Sequence, residues 1–205
     1  MMKLYNNAQS RGMTVMLLLK ELGIEDQIEE INVPYENMHQ AEYLTINPMG
    51  KVPCLVDQGV VISEVAAIFT YLADKYMEKG LAPALDDPKR GAYLKWMFFA
   101  HGPLTEFMDL KGLGVSDEQI EQRKRSLTFG HEESVLALLK KGMQEANPYL
   151  LGDKISAADL FLGYWVIFAI SLKILPYLDE FKPFIQLLAQ RDSMKGVPWL
   201  QKIND

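Results

Sequence analysis

The chain has 205 residues, 49% of them hydrophobic and 23% charged, which suits one large domain or two small ones and excludes a disordered chain. A formal net charge of −6 argues against a nucleic-acid partner, which would call for a basic face; the short basic run Arg123-Lys124-Arg125 sits between Glu121 and Glu132-Glu133 and reads as a solvated helix face. The one cysteine, Cys54, excludes an internal disulfide and a Cys-x-x-Cys dithiol and fits a reducing compartment, while His39, His101 and His131 lack metal-ligand spacing, so no metal is expected.

The opening Met1-Met2-Lys3-Leu4-Tyr5 carries no long apolar leader, and residues 2–6 suit a short strand. A polar loop, Asn6 to Ser10, leads into an apolar helical stretch from Thr14 to Leu22, with Gly23 as its natural stop. Gln27 to Val33 alternates as a second strand, and a strand–helix–strand unit favours parallel pairing. A helical turn near Met38–Leu44 and the turn Asn47-Pro48-Met49-Gly50 follow. Val52 to Val56 and Val60 to Ile62 then read as a hairpin around Asp57-Gln58-Gly59, and Val65 to Tyr76 as a helix with Val65, Ile68, Phe69 and Leu72 on one face.

The character changes after Lys79. Gly80-Leu81-Ala82-Pro83 and Asp86-Asp87-Pro88 mark a linker over 80–88, and from 89 to 205 only helices are expected: 89–111, 117–142, 156–171, 178–191 and a short one after Lys195. The apolar stretch Phe161–Leu175 contains Gly163 and Lys173 and falls short of the ~20 residues a bilayer span needs, so it reads as a buried core helix and no membrane association is expected.

Three segments carry candidate chemistry. Pro53 at the head of a strand, with a cis Val52–Pro53 bond, would turn the Val52 N–H and C=O outward for an extended peptide to pair with; the plainer reading is a turn before an edge strand. At Ser63-Glu64-Val65 a helix N-terminus can hold a carboxylate and Glu64 an ammonium beside it; the plainer reading is Ser63 as the N-cap. At Asn7-Ala8-Gln9-Ser10-Arg11-Gly12, hydroxyl and amide donors beside a helix start can stabilise a thiolate, and lowering a thiol pKa by two units takes about 2.7 kcal/mol; the plainer reading is a capped helix. Cys54, inside an apolar strand, reads as core. Trp96, Phe98, Phe99 and Phe107 read as core or subunit interface, with an electrophile pocket as the alternative, and His101 and Lys111 are cleft-facing or solvated.

Taken together, these segments resemble the glutathione transferase family over nearly the whole chain. Lys3-Leu4-Tyr5 through Ser10-Arg11-Gly12 to Leu22-Gly23 is similar to the opening of bacterial members; Asn47-Pro48-Met49-Gly50-Lys51-Val52-Pro53 to the glutathione-backbone loop; Ile62-Ser63-Glu64-Val65-Ala66-Ala67-Ile68 to the γ-glutamyl site; and Ser156-Ala157-Ala158-Asp159 to a helix-capping motif. The resemblance implies an α/β thioredoxin-like domain (βαβαββα) over 1–79 that binds glutathione, followed by an all-α domain over 89–205. It implies that Val52, beside a cis Pro53, pairs with the cysteinyl backbone, that Lys51 lies near the glycyl carboxylate, and that Glu64 meets the γ-glutamyl group with Ser63 nearby. Asp159 would cap a core helix with Ser156. Two positions depart from the pattern: Val65 stands where many members have Ser or Thr, and the activating position falls on Gln9. Ser10 is the first candidate for activating the thiol, with Gln9, Asn7 and Arg11 as alternatives. The implied activity is transfer of glutathione, as co-substrate, to a small apolar electrophile or peroxide by a cytoplasmic homodimer; a non-catalytic binding or interaction module of the same fold is the alternative.

Overall fold

The computed structural model describes residues 1–203. The chain divides into two compact units at Lys79/Gly80.

The first unit is a four-stranded sheet in the order β2-β1-β3-β4. β1 (Met2–Asn6) runs parallel to β2 (Ile28–Asn32) and antiparallel to β3 (Cys54–Asp57), which pairs antiparallel with β4 (Val60–Ser63). The parallel pair is joined by α1 (Met13–Leu22), as the strand–helix–strand pattern requires. α1 stops where glycine permits: Gly23 takes φ +64°, its N–H reaches Lys20 O at 3.1 Å, and the Ile24 N–H reaches Leu19 O at 3.2 Å. These paired bonds satisfy carbonyls that the helix end would otherwise orphan. After the short α2 (Ala41–Leu44), β3 and β4 turn through Gln58 (φ +49°) and Gly59 (φ +81°), the two left-handed positions that a tight two-residue hairpin needs. α3 (Val65–Lys75) packs against α1, burying Ile68, Phe69 and Leu72. The strand expected from Val52 begins at Cys54, because Pro53 has no N–H to give the ladder.

The second unit is helical. α4 (Arg90–Phe99) runs through one widened π-turn, Ala100–Leu104, into α5 (Thr105–Gly112). The helix expected over 89–111 is thus continuous but widened where Pro103 cannot donate a backbone bond, and the Thr105 hydroxyl instead donates to Ala100 O at 2.8 Å. The helix expected over 117–142 is two, α6 (Asp117–Arg123) and α7 (Glu132–Glu145). The break has a tertiary cause: the Glu106 carboxylate accepts the N–H groups of Thr128 (2.6 Å) and Phe129 (3.4 Å), and Gly130 turns the chain at φ +66°. α8 (Ala157–Ser171) is the centre, buried on all sides from Ala157 to Ile167 and packed against α4, α9 (Lys182–Ala189) and α10 (Pro198–Lys202). Gly142 and Gly163 allow close approaches: a Cβ would lie 2.4 Å from the Trp96 ring at the first and 2.1 Å from Leu188 Cδ1 at the second. Trp96, Phe99 and Phe107 are core, and Phe98 is exposed. Among the described residues no helix is long and apolar enough to cross a membrane.

Candidate functional site

The sheet register brings the candidate segments of the first unit to one place. Tyr5 lies opposite Cys54, and Cys54 opposite Ser63. The C-terminal end of β1, the head of β3 and the C-terminal end of β4 therefore share one edge. The loop after Asn6, the Lys51-Val52-Pro53 segment and the Ser63-Glu64-Val65 junction all emerge there.

In the first loop the polar groups are tied to one another. Asn7 Nδ2 donates to Val33 O at 3.0 Å, and Asn7 Oδ1 accepts the Gln9 N–H at 3.0 Å. The Ser10 hydroxyl donates to Asn7 O at 2.7 Å and accepts the Gly12 N–H at 3.0 Å, so its one proton is engaged inside the loop. The Tyr35 hydroxyl donates to Gln9 O at 3.1 Å. The Gln9 side chain is exposed and makes no hydrogen bond among the described residues. Arg11 is exposed. Gly12 is required by space: a Cβ would lie 1.7 Å from Asn6 Oδ1, a buried acceptor without a hydrogen-bond partner among the described residues, while Asn6 Nδ2 donates to Glu30 at 2.8 Å.

In the second segment the Val52–Pro53 bond is cis, as expected, and Lys51 is exposed. Neither the N–H nor the C=O of Val52 has a hydrogen-bond partner among the described residues. Two donors converge on the preceding carbonyl, the Tyr43 hydroxyl at 2.6 Å and Asn47 Nδ2 at 2.8 Å. Sequence reasoning misses Tyr43; its one signal is a lone aromatic in a short helical turn just before the Asn-Pro turn. Burial pushes the Tyr43 phenol up to about 12 and the fully buried Cys54 thiol up to about 11, so Cys54 is a protonated core residue.

At the third segment the N-cap of α3 is Glu64, and neither it nor Ser63 provides the side-chain cap that the plainer reading assigns to Ser63. Glu64 is exposed and sits at φ +70°, ψ 123°, a conformation that L-residues rarely adopt and that concentrates at functional sites. Val65 is buried, and the first turn of α3 has no acidic residue, so the N–H groups there face no carboxylate of their own helix.

Residues 1–74 match the family model for the glutathione S-transferase N-terminal domain. Glutathione S-transferase hmp2 of Hypomyces subiculosus is 35% identical over 176 residues, 78% of this chain and 78% of that protein. The chain belongs to the glutathione S-transferase family. The crystal structure of a glutathione transferase from Methylococcus capsulatus superimposes with a TM-score of 0.78 at 25% identity, covering 98% of each chain. A family member from Pseudomonas fluorescens, solved with two glutathione bound, shares the fold at a TM-score of 0.73 and 22% identity, over 98% of this chain and 92% of that one. The expected fold is therefore that of the family: a thioredoxin-like mixed sheet followed by a helical domain.

Proposed function

We propose that this transferase-family chain binds glutathione at the shared edge of the first unit's sheet and transfers its thiolate to a small apolar electrophile or peroxide. The convergence of the three segments on one edge carries the reading. In it, the unpartnered Val52 backbone pairs with the cysteinyl residue beside Pro53, and exposed Lys51 faces the glycyl carboxylate. Glu64 takes the γ-glutamyl ammonium, with Ser63 and the N–H groups from Val65 onward at its carboxylate. The Pseudomonas fluorescens relative was solved with glutathione bound, which supports glutathione as the ligand. The glutathione-binding domain is taken as 1–79, the linker as 80–88 and the helical domain as 89–205. A bacterial-type, cytoplasmic homodimer acting in detoxification completes the proposal; exposed Val60 and Val61 on β4 and Phe98 on α4 supply apolar surface for a second copy to cover.

The thiol-activating group in this reading is Ser10, with Gln9, Asn7 and Arg11 as the alternatives. Ser10 can serve only by releasing the Asn7 carbonyl, whereas the Gln9 carboxamide has no bond to break. The same facts support a second reading, a binding protein without useful turnover: Val65 removes a hydroxyl from the γ-glutamyl end, and the Ser10 proton is already engaged. Calorimetry with glutathione, a conjugation assay and a thiolate-absorbance titration of the complex separate the readings. An enzyme binds, turns over and ionises the bound thiol below its free value; a binding module only binds; absence of binding overturns both. Glu64→Ala is expected to weaken glutathione by about 1.5–3 kcal/mol, the worth of a hydrogen bond to a charged group.

A further inference from the structure

We infer that Tyr43 and Asn47 are positioning residues which, by gripping the Lys51 carbonyl, aim the Val52 N–H at the ligand. The inference rests on the glutathione reading above and adds what makes that backbone edge competent.

Peptide planarity couples the Lys51 carbonyl to the Val52 N–H. The Lys51 C=O and the Val52 N–H belong to one trans peptide unit, so they point in opposite directions, and fixing one fixes the other. The carbonyl has two lone pairs, and both have a donor: the Tyr43 hydroxyl at 2.6 Å and Asn47 Nδ2 at 2.8 Å. With the C=O held toward buried Tyr43 and Asn47, the Val52 N–H is turned away from them, and it has no hydrogen-bond partner among the described residues.

The grip is itself well anchored. Tyr43 is 5% exposed and clusters with Val33 and Met38, with Tyr5, Ile46 and Val52 packed against them. The Tyr5 and Tyr43 ring centroids are 5.9 Å apart, which ties the clamp to β1. Asn47 is 4% exposed, and its other amide atom accepts the Met49 N–H at 3.2 Å, so the carboxamide cannot turn without losing both contacts. Gly50 closes the loop at φ +60°, where a Cβ would come 2.7 Å from the His39 ring and 2.9 Å from Met38 O. A loop that only needed to be stable would gain little from two buried donors on one carbonyl beside a backbone edge left without partners.

Because either donor alone can orient the plane, the two act redundantly, and that gives a signature. Tyr43→Phe and Asn47→Ala are each expected to weaken glutathione about threefold, and the double variant about thirtyfold or more, a coupling beyond the product of the singles. Tyr71→Phe is the control: it removes another partly buried tyrosine hydrogen bond, to Asp57 at 2.7 Å, and should lower melting temperature without changing affinity. Titration calorimetry with glutathione, with circular dichroism confirming that each protein is folded at the assay temperature, reads all four. Unchanged affinity in the folded double variant, or an equal loss in Tyr71→Phe, overturns the clamp. If the double variant does not fold, the single variants decide, and wild-type affinity in both overturns it. A wild-type protein that does not bind glutathione overturns the assignment of the site itself, a result separable from the others.

Discussion

Two buried aspartates, one in each unit, solve the problem of a carboxylate in the interior differently. Asp57, at the end of β3, is met by the Lys75 ammonium and by the Tyr71 hydroxyl at 2.7 Å, both from α3. Asp159, in the first turn of α8, meets no cation among the described residues. It accepts the Ser156 N–H at 2.8 Å, the Ser156 hydroxyl at 2.6 Å and the Leu150 N–H at 2.8 Å. Lys75, followed by Tyr71, holds the Asp57 carboxyl below the ordinary range, whereas burial pushes Asp159 above it despite those hydrogen bonds. A charged partner compensates desolvation of an anion; neutral donors at a fully buried site only offset it. Asp57 thus latches the edge hairpin to a helix, and Asp159 ties a helix start to the preceding loop.

The largest effect is expected from Asp159→Ala, which removes the acceptor of two buried Ser156 donors and of the part-buried Leu150 N–H and should cost about 2–4 kcal/mol. Thermal melting reads this, and the folded fraction should keep its glutathione affinity. A normal melting temperature with lost binding would reverse the assignment. Asp57→Ala should cost less, about 1–2 kcal/mol, because Lys75 stays partly solvated and keeps water as a partner.

Acid tests the signs. The folded pKa of Asp57 is lowered, so the stability it contributes is present above its unfolded value of about 3.9 and is lost as pH falls through the folded value. Melting temperatures taken downward from pH 5 should fall less in Asp57→Asn than in the wild type. The folded pKa of Asp159 is raised, so its contribution runs the other way, with stability falling as pH climbs from about 3.9 through the folded value. Removing its carboxyl should steepen the acid loss; equal slopes for both variants would erase the distinction.

The smallest expected effect concerns backbone. Glu64→Gly relieves a left-handed residue and should stabilise the protein by about 0.5–1 kcal/mol in denaturant unfolding, while glutathione affinity falls. A loss of stability would show that the Glu64 side chain supports the fold.

Features decided by neighbours along the chain are legible in the residues themselves. The Gly23 helix stop, the tight turn at Asp57-Gln58-Gly59 and the pairing of Ser156 with Asp159 all close within a few residues, and each appears where its residue types put it. The order of strands and helices is legible for the same reason, and so are the three candidate segments.

How those pieces are used depends on contacts between distant parts of the chain. The residue pattern over 117–142 reads as one helix, but a carboxylate 22 residues upstream of Thr128 helps to break it. Ser10 is the first candidate to activate the thiol, but in the folded loop its proton goes to Asn7 O. Tyr43 stands out locally only as a lone aromatic before the Asn-Pro turn, which does not name the Lys51 carbonyl as its partner, and nothing beside Asp57 names Lys75. What the amino-acid sequence determined by itself is the set of local elements and the family's motifs, because short-range hydrogen bonds and backbone preferences depend on adjacent residues. What the fold alone determined is which donors are already engaged and which remain for a ligand, because that depends on groups brought together from distant parts of the chain.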